Sequence, residues 1–223
     1  MIKIRTENVA LAGGDQLRLS VAEPETVVRG GLVVLHEARG VTEPMRRVAG
    51  VLAGEGWLTA VPHLYHQDAG EPQPEERVRE LSVDSLLADT DAALQWLSER
   101  GIAQDQQGVV GFGTGGTAAF LVAARRSVGA AVSVGGGIVD PLTGGWPPLV
   151  EIAGDLSCPW LGLYGEDEHP SQEVAKLQAA VEKAEMATDV VRYPGAGHRF
   201  DRDVRAAREA WQRLCNWFDL HLR

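Results

Sequence analysis

Cysteine is almost missing. The 223 residues hold two, Cys158 and Cys215, in no C-x-x-C or C-x-x-H spacing. That excludes a disulfide framework, leaves room for one bridge at most, and is the usage of a cytoplasmic chain. A positive surplus is missing too. Lys and Arg number 21 against 31 Asp and Glu, a net charge of −10. Nucleic acid and anionic membrane both need a basic face, so neither is expected as a partner. No apolar run approaches the ~20 residues of a membrane helix. The first residues, MIKIRTENVA, lack the apolar stretch of a signal peptide. The expected setting is soluble cytoplasm, the expected partner a small molecule, and the expected state a monomer or small homo-oligomer.

What is present is ordinary globular usage, with 44% hydrophobic and 23% charged residues. The length suits one domain over residues 1–223, burying roughly 70–75% of the unfolded surface without staples. Residues 2–11 and 15–22 read as two strands around Gly13-Gly14-Asp15, a hairpin signal. Apolar strands are expected at 31–37, 57–64, 108–112, 130–134, 159–164 and 189–193. Helical spacing is expected at about 44–54, 80–100, 115–125, 171–184 and 204–222. Leu86, Leu87, Thr90, Leu94 and Leu97 form the inner stripe of the long helix. Strand and helix alternate, and the strands are apolar runs rather than alternating patterns. This predicts an α/β fold with a mainly parallel central sheet, helices on both faces and an N-terminal antiparallel hairpin.

In such sheets function gathers at the carboxyl ends of the strands. Four ends are chemically loaded. His36-Glu37-Ala38-Arg39-Gly40 can offer a backbone N–H to an oxyanion, or can be a solvated polar loop. Gly111-Phe112-Gly113-Thr114-Gly115-Gly116 stands between a strand and a helix and fits a nucleophile elbow, G-x-Nuc-x-G-G. Its central residue must carry a hydroxyl or thiol, and here it is Gly113, which has no side chain. Gly165-Glu166-Asp167-Glu168-His169-Pro170 offers an Asp that could orient a histidine. Gly195-Ala196-Gly197-His198-Arg199-Phe200 places a histidine after the last strand. The order nucleophile, Asp, His is that of α/β-hydrolases.

With these four in order, the chain resembles the dienelactone hydrolase family over nearly its whole length. The stretches that carry the resemblance are GLVVLHEARG, VPHLY, VGFGTGGTAAFLVAA, LYGEDEHP and PGAGHRFDR. It implies an α/β-hydrolase fold, action on ester or lactone bonds, and no cofactor or metal. It also implies His198 as general base, Asp167 as its orienting carboxylate, and the N–H groups of Ala38 and Thr114 as oxyanion hole. Glu37 matches the glutamate that contacts the resting nucleophile. Arg202 matches an arginine that holds a substrate carboxylate, with Tyr65 and Trp146 expected beside it, Trp146 at the pocket mouth. Two positions depart from the pattern. The nucleophilic cysteine is Gly113, and a second carboxylate-binding arginine is Gln67.

Neither cysteine replaces the nucleophile, since both sit among packing residues. Three readings of Gly113 stay open on the sequence. It can belong to a hydrolase that activates a water through His198 and Asp167, to a non-catalytic binding or regulatory protein, or to a chain whose nucleophile was removed to trap a complex. GFGTGG also spells G-x-G-x-x-G, a nucleotide-binding fingerprint. It sits centrally rather than at the first βα turn, and VGAAVSVGGGIV downstream lacks the acidic residue a ribose needs. His63 and His66 with Asp68 could be read as metal ligands, but they lack a zinc spacing and read as rim or surface.

Overall fold

The computed structural model describes residues 2–65, 73–137, 145–165, 171–195 and 203–223. The hairpin forms as expected. β1 (Ile4–Ala10) and β2 (Gln16–Ala22) pair antiparallel, with Ile4 opposite Ala22 and Ala10 opposite Gln16. Then come β3 (Gly30–Leu35), β4 (Trp57–Pro62), β5 (Gln107–Phe112), β6 (Ala130–Val134), β7 (Trp160–Gly165) and β8 (Thr188–Tyr193). The sheet order is β1-β2-β4-β3-β5-β6-β7-β8. β2 meets β4 antiparallel, and every pairing from β4 to β8 is parallel.

Every residue of β3, β4 and β7 is buried, because helices cover both faces and leave no side for polar alternation. Side chains on one face, such as Val33, Leu35, Ala60 and Val109, pack on α3 (Val83–Ser98), α4 (Thr114–Arg125) and α6 (Ser171–Val181). Their alternates Leu32, Val34, Val61 and Val110 pack on α1 (Glu43–Gly54) and α7 (Val204–His221). α7 shows why it lies there. Ala206, Ala210, Leu214 and Phe218 repeat every four residues and are all buried, a stripe on one helix face.

Two boundaries differ from expectation. The helix expected over about 80–100 is α3, shorter by a few residues at its start, and a short helix that the spacing does not predict, α2 (Pro74–Glu80), precedes it. Leu81 leaves helical geometry at φ −71, ψ 103, and Ser82 caps α3 by accepting the Ser85 N–H at 3.1 Å. Pro74 at the first helical position starts α2, and Ser82 restarts the chain as the cap of α3. In α3 the buried face includes Ala93 and Trp96, while Leu94 is only half-buried. A short helix, α5 (Leu149–Ile152), follows the loop expected at 136–148.

Candidate active site

β5 and α4 meet at Gly113, which takes φ 55, ψ −123. This backbone region is nearly closed to residues with a Cβ and recurs at functional sites. Its N–H donates to the Val134 carbonyl at 2.9 Å, and its carbonyl accepts from the Gly116 N–H at 2.8 Å. The surrounding glycines answer a different need. A Cβ on Gly111, Gly115 or Gly116 would overlap the carbonyl oxygen of Gly115, Leu35 or Gly135 respectively. The turn is therefore pressed between the ends of β3 and β6. Below it, the Ser133 hydroxyl donates to the Gly116 carbonyl at 2.7 Å and accepts from the Trp160 indole N–H at 2.9 Å. These contacts account for GFGTGG without a nucleotide. They also leave the first-turn N–H groups of α4, Thr114 first among them, at the positive end of a helix with no side-chain cap.

The loop after β3 lies against this turn, because Leu35 pairs with Gly111 and the Leu35 and His36 carbonyls abut Gly115. His36 fixes the loop. Its ring is 1% exposed. Nε2 accepts from the Leu64 N–H at 3.2 Å, which leaves Nδ1–H to donate to the Glu37 carbonyl at 2.9 Å. The Gly40 N–H donates to the same carbonyl at 2.9 Å. With its carbonyl turned to these two donors, Glu37 is fixed where the chain passes on to Ala38. Burial pushes the His36 pKa down to about 4, so the ring is neutral and its tautomer is set. In the sequence His36 stands out only as part of a loop motif. Its partner Leu64 lies 28 residues away, so no local signal could reveal the role.

Tyr65 tilts over His36 with ring centroids 5.1 Å apart. Beneath it opens a narrow cleft with room for about one water, lined by His36, Leu64, Tyr65, Val78, Leu81, Thr114, Gly115, Ala118 and Trp146. Trp146 is not at a mouth. It is 4% exposed, and its indole N–H donates to the Leu81 carbonyl at 2.8 Å. That makes it the inner wall, because the break between α2 and α3 turns a main-chain carbonyl toward it. The structure thus brings Ala38, Gly113, Thr114, Tyr65 and Trp146 to one end of the sheet. Asp167, His198 and Arg202 lie outside the described residues, as do Gln67, His66 and Asp68. β7 and β8 finish side by side, Gly165 opposite Tyr193, two residues before Asp167 and five before His198.

His63 is held by β2. Its Nε2 lies 2.9 Å from the Ser20 hydroxyl, and its N–H donates to the Arg18 carbonyl at 2.9 Å. Both cysteines are unpaired, Cys158 in the core and Cys215 half-buried against α7's own face of it. Burial pushes their thiols up to about 12 and about 11.

Comparison with known proteins agrees with this arrangement. The model of the dienelactone hydrolase family matches residues 17–222. A candidate carboxymethylenebutenolidase of Yersinia pestis is 31% identical, over 93% of this chain and 85% of its own. One from Salmonella typhimurium is 33% identical, over 84% and 76%. The crystal structure of a candidate dienelactone hydrolase from Klebsiella pneumoniae superposes with a TM-score of 0.86 at 28% identity, covering 97% of this chain and 99% of that one. No helix among the described residues is long and apolar enough to cross a membrane. A hairpin-edged parallel sheet, a glycine elbow pressed onto the β3 loop and a match running from β2 to the end of α7 have one common explanation: this chain belongs to the dienelactone hydrolase family.

Proposed function

We propose that the chain hydrolyses an ester or lactone bond of a small anionic substrate, with water in place of a side-chain nucleophile. The observation that carries this is Gly113. The elbow keeps the strained conformation that serves to present a nucleophile, yet the position bears no side chain. No acyl-enzyme can form there. His198, oriented by Asp167, takes a proton from a water beside Gly113, and that water attacks the carbonyl carbon. The N–H groups of Thr114 and Ala38 donate to the oxyanion. The tetrahedral intermediate then expels its alkoxide, which takes the proton back from His198. Arg202 pairs with the substrate carboxylate, and Glu37 and Tyr65 line the approach.

In serine proteases an oxyanion hole without its triad still gives about 10³–10⁴ over water. Turnover is expected to be weak, with no burst on an activated ester and no acyl adduct by mass spectrometry. Iodoacetamide should leave it unchanged, since both thiols are far from thiolate at neutral pH. Gly113→Cys should raise turnover and make it sensitive to iodoacetamide. A burst with the unsubstituted chain would assign the nucleophile elsewhere. The missing side chain equally favours a second reading, a small-molecule binder that kept the pocket. Binding of a small ester with no turnover above background, in the unsubstituted chain as in His198→Ala, would support the binder over the hydrolase.

A further inference from the structure

The cavity beneath Tyr65 has no task in that chemistry. Leu64, Val78, Leu81, Ala118 and Trp146 make its walls aliphatic and aromatic. Polar groups enter the wall at His36, Tyr65 and Thr114. The Thr114 hydroxyl is buried with no partner among the described residues. A hydroxyl left so costs about 1–3 kcal/mol, and a ligand or a water is what normally completes it. The nitrogens of His36 are both engaged. No lysine, arginine or carboxylate is among the described residues lining the space, so a charged group inside would be desolvated without compensation. Trp146 ends the cavity, pinned through its N–H to Leu81. The room left is wide enough for about one water or a group of similar girth.

We propose that this cavity is the subsite for the small uncharged end of the ligand. Thr114 Oγ–H supplies its one hydrogen bond and Trp146 sets its length limit. The inference rests on the hydrolase reading above only for taking that ligand to be an ester. A methyl or a group of similar girth, next to a hydrogen-bond acceptor, fits. A long chain meets the indole, and a carboxylate must bind outside.

The test is binding, read by NMR on the isotopically labelled full chain, with Tm recorded for every variant. Methyl acetate is expected to shift the amides of Thr114 and Ala118, and methyl hexanoate to bind at least tenfold more weakly. Trp146→Ala should erase that preference; the milder Trp146→Phe reads the same trend if the larger deletion does not fold. Thr114→Val keeps the shape and the main-chain N–H. It should weaken methyl acetate about tenfold, one hydrogen bond's worth, while Tm and the amide spectrum away from the cavity stay as before. Equal binding of the two esters to the native chain, or an unchanged methyl acetate affinity in Thr114→Val, overturns the subsite. Failure of the hydrolase reading is separable. No turnover with the length preference intact leaves the subsite standing, and turnover without the preference removes the subsite alone.

Discussion

At the scale of single residues, one glycine is under a constraint its neighbours are not. Gly113 needs freedom of φ, whereas Gly111, Gly115 and Gly116 need the absence of a Cβ. These are different costs, and they separate experimentally. Gly113→Ala should destabilise by about 1–3 kcal/mol, the range for a non-glycine residue forced into such backbone geometry. Gly13→Ala, at an open turn position with nothing within 4 Å of the added methyl, should change stability by less than about 0.5 kcal/mol. Urea denaturation of both variants checks the pair. A neutral Gly113→Ala would show that the elbow relaxes, and the case for a preserved nucleophile geometry would weaken with it. The identity of Gly113 was legible in the sequence, because the elbow pattern names the position that must carry a nucleophile. The tautomer of His36 and the orphan hydroxyl of Thr114 were not, since each depends on atoms brought in from distant segments.

At the scale of elements, the strands were legible because burial on both faces leaves apolar runs that no other element of that length produces. α2 and its break from α3 at Leu81–Ser82 were hidden, because Pro74–Glu80 carries no apolar helical stripe and only capping chemistry marks its ends. The cavity was hidden for a related reason, as its walls come from β3, the end of β4, α2, α4 and the loop before α5. What keeps the elbow rigid is also an inter-element device. Ser133 on β6 links Trp160 on β7 to the first turn of α4. Ser133→Ala would leave the buried indole N–H and the Gly116 carbonyl without that partner, at a cost of about 1–3 kcal/mol. The same substitution should lower ester turnover by loosening Thr114, whereas Ser157→Ala, on a partly exposed hydroxyl behind α4, should not touch turnover. Equal effects of the two on turnover would remove Ser133 from the support of the site.

At the scale of the whole molecule, the loop after β3 and the fold share one titration. His36 has a folded-state pKa of about 4 against an ordinary 6.5, set first by burial. Between those values the unfolded chain takes up a proton that the folded chain refuses. Stability from His36 is therefore complete above about pH 6.5 and falls as pH drops toward 4. Integrating that gap gives a loss of about 2 kcal/mol between pH 7.5 and pH 5. His63, lowered to about 4 by burial and then by Arg18, adds in the same direction, discounted because it is half-exposed. Glu7, lowered by hydrogen bonds from Trp96 and then Arg5 against the opposing effect of burial, and Glu23, lowered first by its hydrogen bond from Arg5, lose their contribution only below about pH 4.5, outside this window. Relief of the net charge of −10 acts the other way as acid is added, so the diagnostic quantity is a difference between proteins. His36→Asn can keep the donor to the Glu37 carbonyl while removing the proton site. It should lower stability at pH 7.5 but flatten the fall to pH 5 by about 2 kcal/mol relative to the unsubstituted chain, measured by urea denaturation at both pH values. Parallel curves for the two proteins would mean that His36 is already accessible to protons, and that the Glu37 carbonyl is not held by a neutral ring.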